Sequence, residues 1–265
     1  MSLIPGLDFT YSEWRKQMNY QEIIRTLRER EARRRASTLR YPESRESVRT
    51  QVEIFREIGN ILLHKQGRSF VIDEDNLDVI IYLISYVNSW EDSFRQTALT
   101  LTGEEQSLDL PILLCGDMGV GKTLLMQILS EFSKALGLTS RQFVNVSLTE
   151  LQNYFATFAN IDYYTYNADR KLLDPTNPYS GRPFSVCLHD IGLEQDQRLK
   201  SYGTDLGAIV SSFLMARYDL FQSEGLRCHM TTNQTAEWIF DHYPPRLVDR
   251  FKEYNFITLS GKGRR

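Results

Sequence analysis

GDMGVGKT, residues 116–123, stands directly between the apolar run PILLC (111–115) and the helical pattern TLLMQILSEFSKAL (123–136). It fits G-x-x-x-x-G-K-[ST], and the spacing has a chemical reason. Glycines let the backbone curl so that successive N–H groups point inward at phosphate oxygens, and the following helix adds its positive N-terminal end. Gly116, Asp117, Met118, Gly119, Val120, Gly121, Lys122 and Thr123 are therefore expected to cradle ATP. Lys122 is placed to reach the β and γ phosphates, and the Thr123 hydroxyl to coordinate Mg²⁺. Binding alone is not hydrolysis, which also needs an acid near the metal, a group that orients water, and positive charge for the transition state.

The flanks of this loop set the fold class. From Leu110 onward, short apolar runs (PILLC, QFVNVS, FSVCL, LRCHMTT, YNFITLS) alternate with helical patterns. Such alternation signals βαβ units and a mainly parallel sheet covered on both faces by helices. Residues 105–265 read as an α/β, doubly wound parallel-sheet P-loop domain. The first hundred residues read as helical, without a repeat or a catalytic cluster. YQEIIRTLREREARRR (20–35) is an Arg-dense helix ended by RYPES (40–44). ESVRTQVEIFREIGNILLHKQG (46–67) is a second, and LDVIIYLISYVNSWEDSF (77–94) a third with Asn76 as its cap.

Composition limits the alternatives. The 265 residues carry a formal net charge of −3, distributed as +3 over residues 1–60, −10 over 61–245 and +4 over 246–265. Affinity for a polyanion is therefore expected at the two ends of the chain. VIIYLISYV (79–87) is the longest apolar run and is far short of the roughly 20 residues of a membrane span. The N-terminus MSLIPGLDFTYSEWRKQ has no signal-peptide core. A soluble, cytoplasmic protein without membrane contact is expected. Cys115, Cys187 and Cys228 each lie in or beside a strand-like run, as small core residues of a reducing compartment.

Three further stretches carry chemistry. SVCLHDIG (185–192) is a strand ending in His189 and Asp190, where many such ATPases place two carboxylates. Imidazole is a poor ligand for Mg²⁺, a hard cation that prefers oxygen. In strict register Asp190 polarises the attacking water and the metal loses its acid. A one-residue slip gives Asp190 to the metal, and Glu194 is then the nearest spare carboxylate. His189 is thus a tolerated polar residue, the cause of weakened hydrolysis with ATP binding retained, or itself catalytic. LRCHMTTN ends in Asn233, whose amide either orients water near the γ phosphate or caps the helix TAEWIFDHY. In PPRLVDRFKEY, Arg246 and Arg250 share one helix face, free for function or paired with Asp249 or Glu253.

The order GDMGVGKT, CLHDIGLE, SYGTDLGAIVSSFLMARYD, CHMTTN and YPPRLVDRFKEYNFITLSGKGRR resembles the DnaC and IstB-like branch of AAA+ ATPases, over roughly residues 75–265. That branch contains bacterial replicative-helicase loaders and the ATP-binding partners of transposases. The resemblance implies that Asn233 is a sensor residue, Arg250 the arginine finger given to a neighbouring subunit's ATP, Arg246 its companion and Arg264 a second sensor. His189 and Asp190 match the family's acidic pair, so the departure is in its first member. No Cys precedes Cys115, so the cysteine-rich zinc region of some loaders is not expected, nor is a separate lid domain after Arg265.

The same resemblance gives the partners: further copies of the chain in an ATP-dependent oligomer, single-stranded DNA, and a replicative helicase or a transposase. In family members an extra helix between the second and the acidic strand touches DNA. Here SLTELQNYFATFANIDYYTYNADRK (147–171) holds Tyr154, Phe158, Tyr163 and Tyr164, with Arg170 and Lys171 beside them. Aromatic faces stack on unpaired bases and the cations suit phosphates; packing on the chain's own sheet is the other use of such a helix. The expected division is a helical, partly basic region over 1–70 for partner docking and an ATPase domain over 71–265. The expected function is an ATP-dependent helicase loader; a transposition regulator and a nucleotide-gated scaffold with little hydrolysis are the alternatives.

Overall fold

The computed structural model describes residues 43–166, 183–196, 200–201, 204–261 and 263. The Arg-rich segment 20–35, Arg170, Lys171 and Arg264 lie outside the described residues.

Five parallel strands form the central sheet: β1 (Ile112–Cys115), β2 (Val144–Ser147), β3 (Val186–Ile191), β6 (Cys228–Thr232) and β7 (Asn255–Thr258). Their order is β2-β3-β6-β1-β7. A two-stranded antiparallel ribbon, β4 (Lys200–Ser201) with β5 (Thr204–Asp205), stands apart. Side chains alternate between the two faces, as a pleated strand requires. Ile112, Leu114, Cys187 and Ile257 join one core cluster, whereas Leu113, Cys115, Val186, Leu188 and Met230 join the other. All three cysteines are buried thiols. The result is the doubly wound α/β arrangement that the alternating runs predict.

The first cluster is closed by α1 (Arg45–His64), α2 (Leu77–Asn88), α3 (Glu91–Thr102) and α4 (Lys122–Ala135). The second is closed by α5 (Leu148–Phe158), α7 (Leu206–Glu224), α8 (Ala236–His242) and α9 (Pro245–Phe251), with the short α6 (Leu193–Asp196) at the end of β3. The single helix expected over 77–94 is two helices. Ser89 turns left-handed at φ 57 and ends α2, and Trp90 restarts the chain into α3. Asn76 occupies the cap position, but its side chain is spent elsewhere. Its Oδ1 accepts from Asp73 N at 3.0 Å and its Nδ2 donates to Val71 O at 3.0 Å, which fixes the loop before α2. Among the described residues no helix is long and apolar enough to cross a membrane.

Helix α1 belongs to the same core as the P-loop helix. Phe55 is fully buried against Phe132 of α4, with ring centroids 5.7 Å apart. At its C-terminal end, Gly59 lets the ring of Phe70 lie directly on the helix. A Cβ at Gly59 would stand 2.6 Å from Phe70 Cγ. Gly59→Ala is therefore expected to push Phe70 outward and destabilise the fold by about 1–3 kcal/mol, read as a lower urea midpoint.

His229 of β6 sits 2% exposed between Phe143 and Tyr86, and its Nδ1 accepts the Ile112 backbone N–H at 3.1 Å. Burial, reinforced by Arg227, Arg141 and Arg217, lowers its pKa from 6.5 to about 3. The unfolded chain takes up this proton below about pH 6.5, whereas the native chain refuses it until about pH 3. Stability from this site is therefore complete above pH 6.5 and falls as pH drops through that window, by several kcal/mol in order of magnitude. Urea midpoints at pH 7.5, 5.5 and 4.5 check this; His229→Gln is expected to flatten the acid slope.

Candidate nucleotide site

The loop after β1 has the shape that its glycines imply. Gly116, Gly119 and Gly121 adopt φ 146, 87 and 106, with Gly121 at the N-cap of α4. A Cβ on Gly116 would lie 2.3 Å from the carbonyl oxygen of Leu259, so only glycine allows the loop to leave β1 beside the end of β7. Lys122 is 4% exposed, and its Nζ donates to Gly116 O at 2.6 Å, Asp117 O at 2.8 Å and Asn233 Oδ1 at 2.7 Å. A buried ammonium surrounded by oxygen acceptors is poised to exchange some of them for phosphate oxygens.

The loop opens on a cleft of about 770 Å³. Residues 118–123 form its floor, and Asp190, Leu193 and Asn233 close it at the carboxyl ends of β3 and β6. Ligands of open parallel sheets bind at that end. The opposite wall comes from Leu63 at the end of α1 and from the segment that leads on to α2, including Arg68, Phe70, Val71, Asp73 and Asn76, with Gly263 beside it. Sequence reasoning missed this wall. Its one signal is the apolar run Phe70–Val71–Ile72 inside an otherwise polar connection.

The acidic strand answers the question of register through a bulge. β3 pairs Leu188 with Met230 and then Ile191 with Thr232, so His189 and Asp190 together face the single residue Thr231. Asp190 takes up the extra length with a left-handed backbone at φ 63, and its N–H donates to Thr231 Oγ1 at 3.1 Å. Asp190 thereby lines the cleft with Lys122, Thr123 and Asn233. His189 does not. It is 3% exposed, with Nε2 3.0 Å from Asn145 Oδ1 and Nδ1 3.3 Å from Thr231 Oγ1. Burial lowers its pKa to about 4, so the ring is neutral near pH 7. With both ring nitrogens engaged inside the sheet, His189 is not placed as a metal ligand.

Glu194 is not a spare carboxylate either. It is 3% exposed and accepts from Gly192 N at 2.8 Å and from the Tyr243 hydroxyl, whose pKa is pushed upward by burial and by this carboxylate. Among the described residues, no cluster of three or more His, Cys, Asp or Glu is built to hold a metal alone. The donor set does fit Mg²⁺ carried with a nucleotide. That ion takes one or two protein oxygens plus phosphate oxygens and water, and Thr123 and Asp190 line the same cleft.

Of the two roles open to Asn233, the cap belongs to its neighbour. Thr235 caps α8, its side chain accepting from Trp238 N at 3.2 Å, which leaves the Asn233 amide oxygen on Lys122. Arg246 is exposed on α9, and Arg250 lays its guanidinium over the Tyr218 ring at 4.2 Å. Neither lines this chain's own cleft. The acids offered as their surface partners are otherwise engaged: Asp249 with Lys252 at 3.0 Å, and Glu253 with the Tyr218 hydroxyl at 2.8 Å and Gln222 at 2.9 Å.

The aromatic candidates at α5 are largely packed on one another. Tyr154 contacts Phe158, Tyr163 and Tyr164 with centroids 4.7, 5.9 and 5.3 Å away, and Tyr163 reaches Phe184 at 5.6 Å. Tyr164 is buried, with its hydroxyl on Glu150 at 2.6 Å, so its ring is not free for a base. Phe158, at the rim of the cluster, and Tyr166 remain open to solvent.

A phosphate loop at the switch of a parallel sheet, with lysine, carboxylate and amide converging on one cleft, defines a P-loop nucleotide-binding domain. No protein-family model and no curated protein matches the sequence. The chain is similar to several solved structures. The crystal structure of DnaI is 16% identical with a TM-score of 0.45, covering 75% of this chain and 89% of that one. The DnaC helicase loader is 14% identical with a TM-score of 0.43, covering 72% and 93%. AMPPCP-bound DnaA from Aquifex aeolicus is 17% identical with a TM-score of 0.41; the match covers 72% of this chain but only 48% of DnaA's.

Proposed function

We propose that the chain is an ATP-hydrolysing helicase loader that assembles into an oligomer on single-stranded DNA and closes its active sites between subunits. The observation that carries the chemistry is the bond from Lys122 Nζ to Asn233 Oδ1 across a cleft that Asp190 and Thr123 also line. In this reading the loop amides and Lys122 bind the triphosphate, and Thr123 and Asp190 hold the metal. Bound Mg²⁺ supplies charge neutralisation at the β and γ oxygens. Asn233 orients the attacking water, and Asp190, the carboxylate that lines the cleft with Lys122 and Asn233, draws off the proton. The wall from Leu63 to Asn76 encloses the base.

Arg250, with Arg246 beside it, is assigned to the neighbouring subunit's γ phosphate, and Arg264 to the chain's own nucleotide. Support for Arg250 is its position on a half-exposed face without a carboxylate partner among the described residues. Phe158, at the exposed rim of the aromatic cluster, is assigned to DNA together with Arg170 and Lys171, and the region 1–70 to the partner. The described part of that region, α1, packs on the ATPase core, so docking falls chiefly to the residues before it. A transposase in place of a helicase leaves this chemistry unchanged.

Arg250→Ala tests the interface. It is expected to bind ATP as the wild type does and to lose DNA-stimulated hydrolysis by roughly a thousandfold, the lower range for an arginine finger. An unchanged rate would remove Arg250 from the role.

A further inference from the structure

We infer that Thr231, together with His189, is a positioning residue for Asp190: the two hold the β3 bulge that turns its carboxylate into the nucleotide cleft. The inference rests on the hydrolytic reading above and gives the histidine a task in it.

Donors and acceptors fix the direction of the chain of bonds. His189 Nε2 faces the acceptor Asn145 Oδ1, so in the neutral ring Nε2 carries the hydrogen and Nδ1 accepts the Thr231 hydroxyl hydrogen, while Thr231 Oγ1 accepts the Asp190 N–H. His189 Nε2–H then donates to Asn145 Oδ1 at 3.0 Å. This line of three bonds crosses β6, β3 and β2, and its members reinforce one another in a buried setting. Thr231 is fully buried and His189 nearly so, so water does not replace either partner.

What the line holds is a strained residue. Apart from Asp190, the described non-glycine residues with positive φ are Ser89 and Ala159, both at helix ends. Asp190 alone adopts it within a strand, at the bulge opposite Thr231. A left-handed backbone on a side-chain-bearing residue persists where surrounding bonds over-determine it. Without the bulge, period-two alternation would send residue 190 to the face of Leu188. An acid at position 189 would place a charge among the groups that now meet a neutral ring.

The test compares Thr231→Val, Thr231→Ser, His189→Asp, Asp190→Asn and the Thr231→Val/Asp190→Asn double variant. For each, kcat and KM for Mg-ATP, Kd for a fluorescent non-hydrolysable ATP analogue, and Tm are measured. Thr231→Val is expected to lower kcat by roughly ten- to a hundredfold, as small misplacements of a reacting group do, with Kd for the analogue within about twofold. Thr231→Ser, which keeps the hydroxyl, restores kcat. In the Asp190→Asn background Thr231→Val costs nothing further, because it acts through that carboxylate. Wild-type kcat in Thr231→Val, a Thr231→Ser variant as slow as the valine, or additive losses in the double variant would each overturn the inference. So would a His189→Asp protein faster than wild type, which would mark position 189 as the seat of a missing metal acid. Should the wild type bind the analogue without turnover, the hydrolytic reading fails by itself. Positioning is then read from the Mg²⁺ concentration needed for analogue binding, which Thr231→Val raises if the bulge aims Asp190 and leaves alone if it does not.

Discussion

Lys122→Ala is expected to lower affinity for Mg-ATP by at least about a hundredfold and to abolish turnover. The ammonium is 4% exposed and already coordinated by two loop carbonyls and the Asn233 amide oxygen, so its position is fixed before any nucleotide arrives. Little ordering remains to be done on binding, and each charge-assisted bond to a phosphate oxygen contributes about 1.5–3 kcal/mol. Two such bonds lost correspond to a hundredfold or more. The alanine variant also loses the Lys122–Asn233 bond, which ties the loop to the end of β6. A fluorescent ATP analogue titrated into both proteins measures the effect, and circular dichroism shows whether the alanine variant is folded.

Asp190→Asn is expected to do the reverse: binding within a few-fold of wild type, and turnover lower by roughly 10²–10⁴, the span that a general base commands. Asparagine is the right substitution for a backbone reason. Asp190 sits at φ 63, and asparagine is among the few residues that adopt that conformation readily, so the bulge survives. Alanine would mix loss of charge with loss of the bulge. The size of the effect follows from Asp190 lining the cleft with Lys122, Thr123 and Asn233, whereas the other acids that line it, Asp73 and Asp75, belong to the opposite wall. His189 is turned into the sheet, and Glu194 is held by Gly192 and Tyr243.

Most of the fold was legible because its signals are local. Glycine spacing fixed the phosphate loop, and buried strands wrote themselves as short apolar runs between helical patterns, from PILLC to YNFITLS. The break at Ser89 was not legible, since 77–94 carries helix-compatible residues throughout and the turn comes from how α2 and α3 pack. Within the site, the residues facing the phosphates could be read from the motifs. The wall from Leu63 to Asn76 could not, because Phe70 reaches the cleft only by lying on Gly59 of a helix in the same core. The puzzle at CLHDIG was visible, but its resolution was not. A bulge is a property of two strands, and Thr231, which sets this one, lies 41 residues away from Asp190. The aromatic run at 154–166 likewise did not say that its rings would spend most of their surface on each other.

The central claim is that one cleft, built around Lys122 and Asp190, hydrolyses ATP. The direct measurement is phosphate release by the purified 265-residue chain with Mg²⁺ and single-stranded DNA, run beside Lys122→Ala and Asp190→Asn. The account predicts turnover in the wild type, loss in Lys122→Ala through failed binding, and loss in Asp190→Asn with binding intact. A wild type that binds the nucleotide and releases no phosphate would contradict it, and would make the protein a nucleotide-gated scaffold.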